Sequence, residues 1–224
     1  LIKVDKNFDK KSDVVIWTKQ VDNPESYGVV KLNSSNQIID LVEKPIEFIS
    51  DLAVIGMYYF KEISQLRDKL ELVIANKKTN SGEFQINDGL LDMMKEGKIF
   101  SVGEVSEWLD CGDVKKCIIA NKSMLTFLKE DGIELISKKS NLINSIIIPP
   151  CFISEGTVIK NSTIGPHVSI GFESEVLDSI ISNSIIQDNS KIRNANIKKS
   201  MIGNNCQYDG TGQEINIGDF SELI

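Results

Sequence analysis

With 224 residues, the chain has room for one large domain or two small ones. Its composition, 41% hydrophobic and 25% charged, is that of an ordinary globular protein. The net charge of −7 argues against general nucleic-acid binding, which needs a basic face, but allows a nucleotide gripped locally by backbone amides, a metal ion and one or two cations.

The first half alternates strands and helices. Asp13–Thr18 reads as a buried strand, because Val14, Val15, Ile16 and Trp17 are β-branched or aromatic. Gly28–Leu32 and Ile38–Val42 flank the polar loop Asn33-Ser34-Ser35-Asn36-Gln37, the pattern of a hairpin. Ala53–Phe60 is a further apolar strand, interrupted by Gly56. Ile63, Leu66, Leu70, Val73 and Ile74 fall on one face at helical spacing. Leu90, Leu91, Met93 and Met94 form the apolar part of a shorter helix, with Asn87 as its N-cap and Gly97 as its stop. Ile99–Val105 reads as a strand. A third helix starts near Asp113, turns Val114, Cys117, Ile118, Met124, Leu125 and Leu128 inward, and stops at Gly132. This alternation predicts an α/β layer architecture.

Near residue 140 the periodicity changes. Isoleucine or valine recurs at 147, 153, 159, 164, 170, 176, 180, 185, 192, 197 and 202, mostly at spacings of five and six, with small or polar residues between. Neither the helical nor the strand period fits; a left-handed parallel β-helix of hexapeptide repeats does, with one inward aliphatic per short face. Asn161-Ser162, Asn183-Ser184 and Asn194 fall where corners belong, since asparagine tolerates left-handed backbone angles. The tail residues Phe220, Leu223 and Ile224 are expected to cover the last coil. The expected domains are 1–135 and 136–224.

No run approaches 18 apolar residues, so no membrane span is expected, and no signal peptide is visible. Cys111, Cys117, Cys151 and Cys206 form no CxxC pair and match no zinc spacing; free thiols in a reducing cytoplasm are expected. The chain begins at Leu1 rather than methionine, so an upstream segment is expected.

Five segments carry a resemblance. They are Tyr27-Gly28-Val29-Val30, Ile38 to Pro45 ending in Glu43-Lys44-Pro45, Ala53 to Phe60, Gly82 to Asp88, and Trp108-Leu109-Asp110-Cys111-Gly112. In this order, followed by a β-helix, they resemble the second part of the α/β, Rossmann-like nucleotidyltransferase domain of sugar-1-phosphate nucleotidylyltransferases, and most closely the long, β-helix-bearing relatives of glucose-1-phosphate thymidylyltransferase.

The resemblance implies transfer of a nucleotidyl group from an NTP to a sugar 1-phosphate, giving an NDP-sugar and pyrophosphate, with dTTP and glucose 1-phosphate the best match. It implies Mg²⁺ held by Asp110, because a hard cation wants carboxylate oxygen. Lys44 matches the lysine on the sugar phosphate, a point cation with three donors. Glu43 matches the glutamate that accepts sugar hydroxyls. Gly28 matches the glycine whose backbone lies against the sugar. Val54 and Tyr58 match pocket-lining residues for which a core role is an equal alternative, and Trp108 is expected to pack. The cell partners implied are the two substrates and further copies of the chain in a homo-oligomer, with the β-helix in an assembly or regulatory role.

The sequence also departs from the family's pattern. No Gly-x-Gly-x-x-Arg occurs in residues 1–224, and Asp5 and Asp9 lie past the position of the family's first metal aspartate. A regulatory or scaffolding homologue that binds sugar phosphate is therefore the alternative. The sole histidine, His167, raises the further reading of a β-helix acyltransferase, although Ile164-Gly165-Pro166-His167-Val168 fits an ordinary corner equally well.

Overall fold

The computed structural model describes residues 12–76, 84–210, 212 and 214–223. Leu1–Lys10, with Asp5 and Asp9, as well as Gly82, Glu83 and Ile224, lie outside them. The chain forms two compact units, residues 1–108 and 109–224.

The first unit is built on a five-stranded mixed sheet. Its strands are β1 (Val14–Gln20), β2 (Gly28–Leu32), β3 (Ile38–Glu43), β4 (Leu52–Phe60) and β5 (Phe100–Glu104), in the spatial order β3-β2-β4-β1-β5. β1 runs parallel to β5 and antiparallel to β4, so it lies inside the sheet and is paired on both edges. That position explains its unbroken apolar run, with Val14, Val15, Ile16 and Trp17 all buried. Helices α1 (Ile63–Ala75) and α2 (Ile86–Lys95) join β4 to β5. Leu66 of α1 and Leu90 and Met93 of α2 close the core over Val14, Ile16 and Phe100. Ile63 and Ile74 were expected on the inward face of α1 but are more than half exposed, because the helix buries only Leu66 and Val73.

Two local features re-aim β4. Its pairing with β1 slips between Ile16↔Tyr58 and Thr18↔Val54, so Ile55-Gly56-Met57 stand opposite the single residue Trp17. Gly56 absorbs this bulge at φ +77°, a region L side chains rarely adopt. β4 thereby bends while Val54 and Tyr58 stay on one face.

In the second unit, α3 (Val114–Glu130) starts where expected: the Asp113 side chain accepts the Lys116 N–H at 2.9 Å. It stops where expected too, at Gly132 with φ +74°. Ile118, Ala120 and Leu125 are its buried residues, whereas Met124, expected inward, is exposed. The two compact units divide at 108/109, so that α3 groups with the repeats. Asn121 accepts the Ser169 hydroxyl at 2.6 Å and reaches the His167 carbonyl at 3.4 Å, tying α3 to strand Val168–Ile170.

The repeats form a parallel β-solenoid whose three faces are sheets of four, five and six short strands. Ile153, Ile159, Ile164, Ile170, Val176, Ile192, Ile197 and Ile202 are buried in one continuous core. Two of the expected positions are corrected. Ile181 and Ile186 point inward, in register with Ile164 and Ile170, while Ile180 is 55% exposed and Ile185 only half-buried. The pairs Ile180-Ile181 and Ile185-Ile186 are ambiguous in sequence, and stacking on the coils either side selects the second member. The corners at Asn161, Asn183 and Asn194 have φ of 52°, 46° and 49°. Neither Phe220 nor Leu223, the described residues of the expected cap, is buried over the last coil. Phe220 is an exposed corner at φ 61°, and Glu222–Leu223 adds one more paired strand.

Buried hydroxyls support the corners. Ser162 Oγ donates to the Lys160 carbonyl at 2.7 Å and accepts the Ser179 N–H of the next coil at 3.1 Å; Ser179 Oγ accepts the Ala195 N–H in turn. Ser174, Ser190 and Cys206 make a second column, and Ser184 and Ser200 a third. Each hydroxyl is satisfied from both sides, which is what lets a polar group sit at 0–4% exposure.

The register yields a paired prediction. Ile181→Ala should destabilise the solenoid by about 2–5 kcal/mol through the cavity it leaves, whereas Ile180→Ala, at an exposed site, should cost under about 1 kcal/mol. Denaturant midpoints of the two variants check it, and equal losses would contradict the register.

Candidate active site

A cavity of about 380 Å³ opens on the first unit where the bulged β4, the start of β2, the end of β3 and the N-terminus of α2 converge. Ser26, Tyr27 and Gly28 line one wall, Val54, Gly56 and Tyr58 another, and Gln85, Ile86 and Asn87 a third; Glu43 projects into it. Four expected site residues, Gly28, Glu43, Val54 and Tyr58, are thus brought together. Among the described lining residues, Glu43 carries the formal charge, and no lysine or arginine joins it.

Glu43 stands directly opposite Gly28 in the β2–β3 ladder. A Cβ on residue 28 would lie 2.7 Å from Glu43 Oε2, closer than van der Waals contact permits. The glycine therefore makes room for the carboxylate. Asn87 Nδ2 approaches the same oxygen at 3.5 Å, at the outer limit of a hydrogen bond. The carboxylate is steered but lightly held, and keeps acceptor capacity for another donor. Asn87 is not the helix cap expected from sequence. The N-cap is Gln85, which makes no side-chain cap, and Asn87 in the first turn faces the cavity instead.

Burial, and secondarily the Glu43 carboxylate, push the Tyr58 phenol above its ordinary value. At neutral pH it is a hydroxyl that donates and accepts. Tyr27 forms the opposite side, and Trp108 packs edge-on against its ring at 5.2 Å, as the packing expectation for Trp108 requires.

Lys44 is not among the cavity-lining residues. It is exposed just beyond β3, and its N–H donates to the Tyr27 carbonyl at 3.0 Å. Its φ is +44°, directly before the buried Pro45. Left-handed backbone at a non-glycine residue costs about 1–3 kcal/mol and persists only where surroundings enforce it. Here the Tyr27 hydrogen bond and the buried proline enforce it, and the chain turns sharply at the edge of the cavity wall.

Asp110 belongs to the second unit. It is not the cap of α3; Asp113 fills that role. Its Oδ1 accepts the Gly112 N–H at 2.8 Å and its Oδ2 meets Lys116 Nζ at 2.5 Å. Asp113 reaches the same ammonium at 3.9 Å. The donor set fits a hard divalent cation in part: Asp110 offers carboxylate oxygen, but no group of three or more His, Cys, Asp or Glu among the described residues could hold a metal by itself. Alongside, burial, then the neighbouring Cys111, raise the Cys117 thiol above its usual range. His167 occupies a solenoid corner at φ 59°; burial, then Lys122, lower its imidazole below the ordinary range, and a hydrogen bond with Asn183 works the other way.

Sequence reasoning missed Ser26, Tyr27, Gly56, Gln85, Ile86 and Asn87 as cavity residues. The signal was present, since residues 85–87 lie within the Gly82–Asp88 segment singled out above.

Comparison with known proteins agrees with this architecture. The nucleotidyl transferase family profile matches residues 2–126, and that of the GlmU-like C-terminal hexapeptide matches residues 133–211. The chain belongs to the nucleotidyl transferase family, with a hexapeptide β-solenoid following the transferase segment. It is 29% identical to a glucose-1-phosphate thymidylyltransferase of Streptomyces griseus, over 87% of this chain and 58% of that protein. It is also 29% identical to a bifunctional protein GlmU of Methanococcus aeolicus, over 86% of this chain and 49% of that protein. A glucose-1-phosphate adenylyltransferase of Fervidobacterium nodosum is 27% identical, over 74% of this chain and 47% of that protein. The chain therefore spans about half the length of the relatives it matches. Among the described residues no helix is long and apolar enough to cross a membrane.

The Tyr58 phenol generates a pH prediction. Because its folded-state pKa is raised, its contribution to stability is fully present below the unfolded value and is lost as pH rises through the folded one. Glu43→Gln should bring the phenol's titration down toward, but not to, the ordinary value, since burial is the larger cause. Phenolate absorbance, assigned by difference against Tyr58→Phe, measures it; an unchanged titration would mean that Glu43 does not face Tyr58.

Proposed function

We propose that this chain forms part of an enzyme that makes an NDP-sugar and pyrophosphate from an NTP and a sugar 1-phosphate, and that the cavity around Glu43 takes the sugar ring. The observation that carries this reading is the Glu43–Gly28 pair: an acceptor carboxylate admitted to the cavity by a missing Cβ, with the Tyr58 hydroxyl and the Asn87 amide beside it. Acceptors and donors without a cation suit the neutral hydroxyls of a sugar, not its phosphate. Lys44, at the end of the same strand that carries Glu43, is assigned to the phosphate.

In the reaction, a phosphate oxygen of the sugar 1-phosphate attacks the α-phosphorus of the NTP, and the bond to the β-phosphate breaks to release pyrophosphate. Two anions must meet, so the chemistry is mainly positioning and charge neutralisation. Asp110 is assigned to Mg²⁺, which when bound would offset phosphate charge. Lys116 at present neutralises that carboxylate and would have to share it or move. Glucose 1-phosphate is the proposed sugar, supported by the names of relatives in Streptomyces and Fervidobacterium; those names differ in the base, and dTTP is proposed on the sequence resemblance.

Isothermal titration of the full-length protein tests this reading. Glucose 1-phosphate should bind, and Glu43→Gln should weaken it by about 10- to 150-fold, the loss of a charged hydrogen bond of about 1.5–3 kcal/mol. Gly28→Ala should do the same by displacing the carboxylate. Asp110→Ala should leave sugar binding intact and remove turnover without a matching loss of stability. Binding that ignores both Glu43 and Gly28 would defeat the assignment of the cavity.

The solenoid is proposed as the assembly surface of a homo-oligomer. Ile146 and Ile180 lie 64% and 55% exposed on one face, aligned through Thr163 between them. Light scattering should report an oligomer that Ile180→Lys dissociates; a monomeric wild type would refute it.

A further inference from the structure

Cys111 and Cys117 are the two cysteines outside the solenoid core: Cys111 is exposed and Cys117 partly so, while Cys151 and Cys206 are buried. Cys111 stands two residues before the Asp113 cap, and Cys117 sits one turn into α3. Cys117 Sγ donates to the Cys111 carbonyl oxygen at 3.3 Å, and Cys111 Sγ makes a long contact of 3.9 Å to the Leu109 carbonyl. The helix start thus brings the Cys117 sulfur against the backbone of Cys111, whose own thiol is exposed, and the bond that holds each thiol is weak.

We propose that Cys111 and Cys117 form a thiol modification site, which a small disulfide of the glutathione class converts to an intramolecular disulfide. The exposed Cys111, as thiolate, attacks one sulfur of the oxidant and expels one glutathione thiolate. Cys117, as thiolate, then attacks the mixed disulfide at the Cys111 sulfur and expels the second. The cysteine pair loses two electrons and two protons; one glutathione disulfide becomes two glutathione thiols. The new bond ties the residue beside Asp110 to the helical turn that carries Lys116, so the Asp110–Lys116 pair changes with it. That last consequence for catalysis rests on the metal assignment of Asp110; formation of the disulfide does not.

The test treats the full-length protein with glutathione disulfide and counts thiols after unfolding. In a peptide map of the wild type, Cys111 and Cys117 should be joined while Cys151 and Cys206 stay as thiols, so the free thiols of residues 1–224 fall from four to two, and dithiothreitol should restore all four. Cys117→Ser should instead carry one glutathione on Cys111. A wild type that stops at a glutathionylated Cys111, or forms chain-to-chain disulfides, overturns the proposal. Turnover is read separately. The oxidised wild type should lose at least about tenfold and recover with dithiothreitol, while treated Cys117→Ser shows no disulfide-dependent loss that its untreated control does not explain. A disulfide that forms with turnover unchanged would count against Asp110 as the metal ligand, not against the dithiol site.

Discussion

Glu43 stands opposite Gly28 in the β2–β3 ladder, and that register decides what the cavity can hold. One step of slippage in β3 would send Glu43 to the other face and take Leu41, which packs in the core with Val30, off its own face as well. The core packing of the hairpin therefore holds the carboxylate in register. The missing Cβ of Gly28 then sets how near the carboxylate comes, and the bulge at Gly56 brings Val54 and Tyr58 to the same rim. Folding energy from a hydrophobic ladder is thus converted into the position of a charged group.

The solenoid obeys a different constraint. Each coil has one inward aliphatic per face and too little surface to form a core alone, so each depends on its neighbours. Chain direction reverses at corners that need left-handed backbone, which Asn supplies at little cost. The buried residues that follow such corners, among them Ser179, Ala195, Ser190 and Ser200, donate their N–H groups to serine hydroxyls of the preceding coil. Cys206 continues one column with a thiol, donating to the Gly218 carbonyl at 2.9 Å. This explains why a thiol so deep in the protein belongs to packing, unlike the pair at the head of α3.

Much of this was legible in the sequence. The strands of the first unit were, because turn residues bracket each apolar run. Gly97, Asp113 and Gly132 were too, because helix ends leave local chemical marks. What was not legible depends on contacts between distant segments. Asn87 is a good capping residue, so sequence reads it as a cap; only the approach of β3 shows it turned toward Glu43. Ile180 and Ile181 are equal in composition, and register alone separates them. The corner serines read as exposed spacers, since nothing in one coil announces that the next will donate to them.

The same distinction bears on the charged residues. Glu43, Lys44 and Pro45 form one tripeptide, yet the structure treats them differently: Glu43 enters the cavity, Lys44 adopts a costly backbone angle outside it, and Pro45 is buried. The buried proline fixes the chain beyond the strand, and the Tyr27 carbonyl holds the Lys44 N–H. Between these two restraints the lysine cannot relax into an extended conformation, which is what a residue preceding proline ordinarily prefers. The left-handed angle ends β3 directly after Glu43 and turns the main chain where an extended residue would have continued the strand. Since Lys44 is not among the cavity-lining residues and no other described lysine or arginine is, the oxygens of Glu43 face the cavity without a cation beside them to neutralise them, and keep their capacity to accept hydrogen bonds.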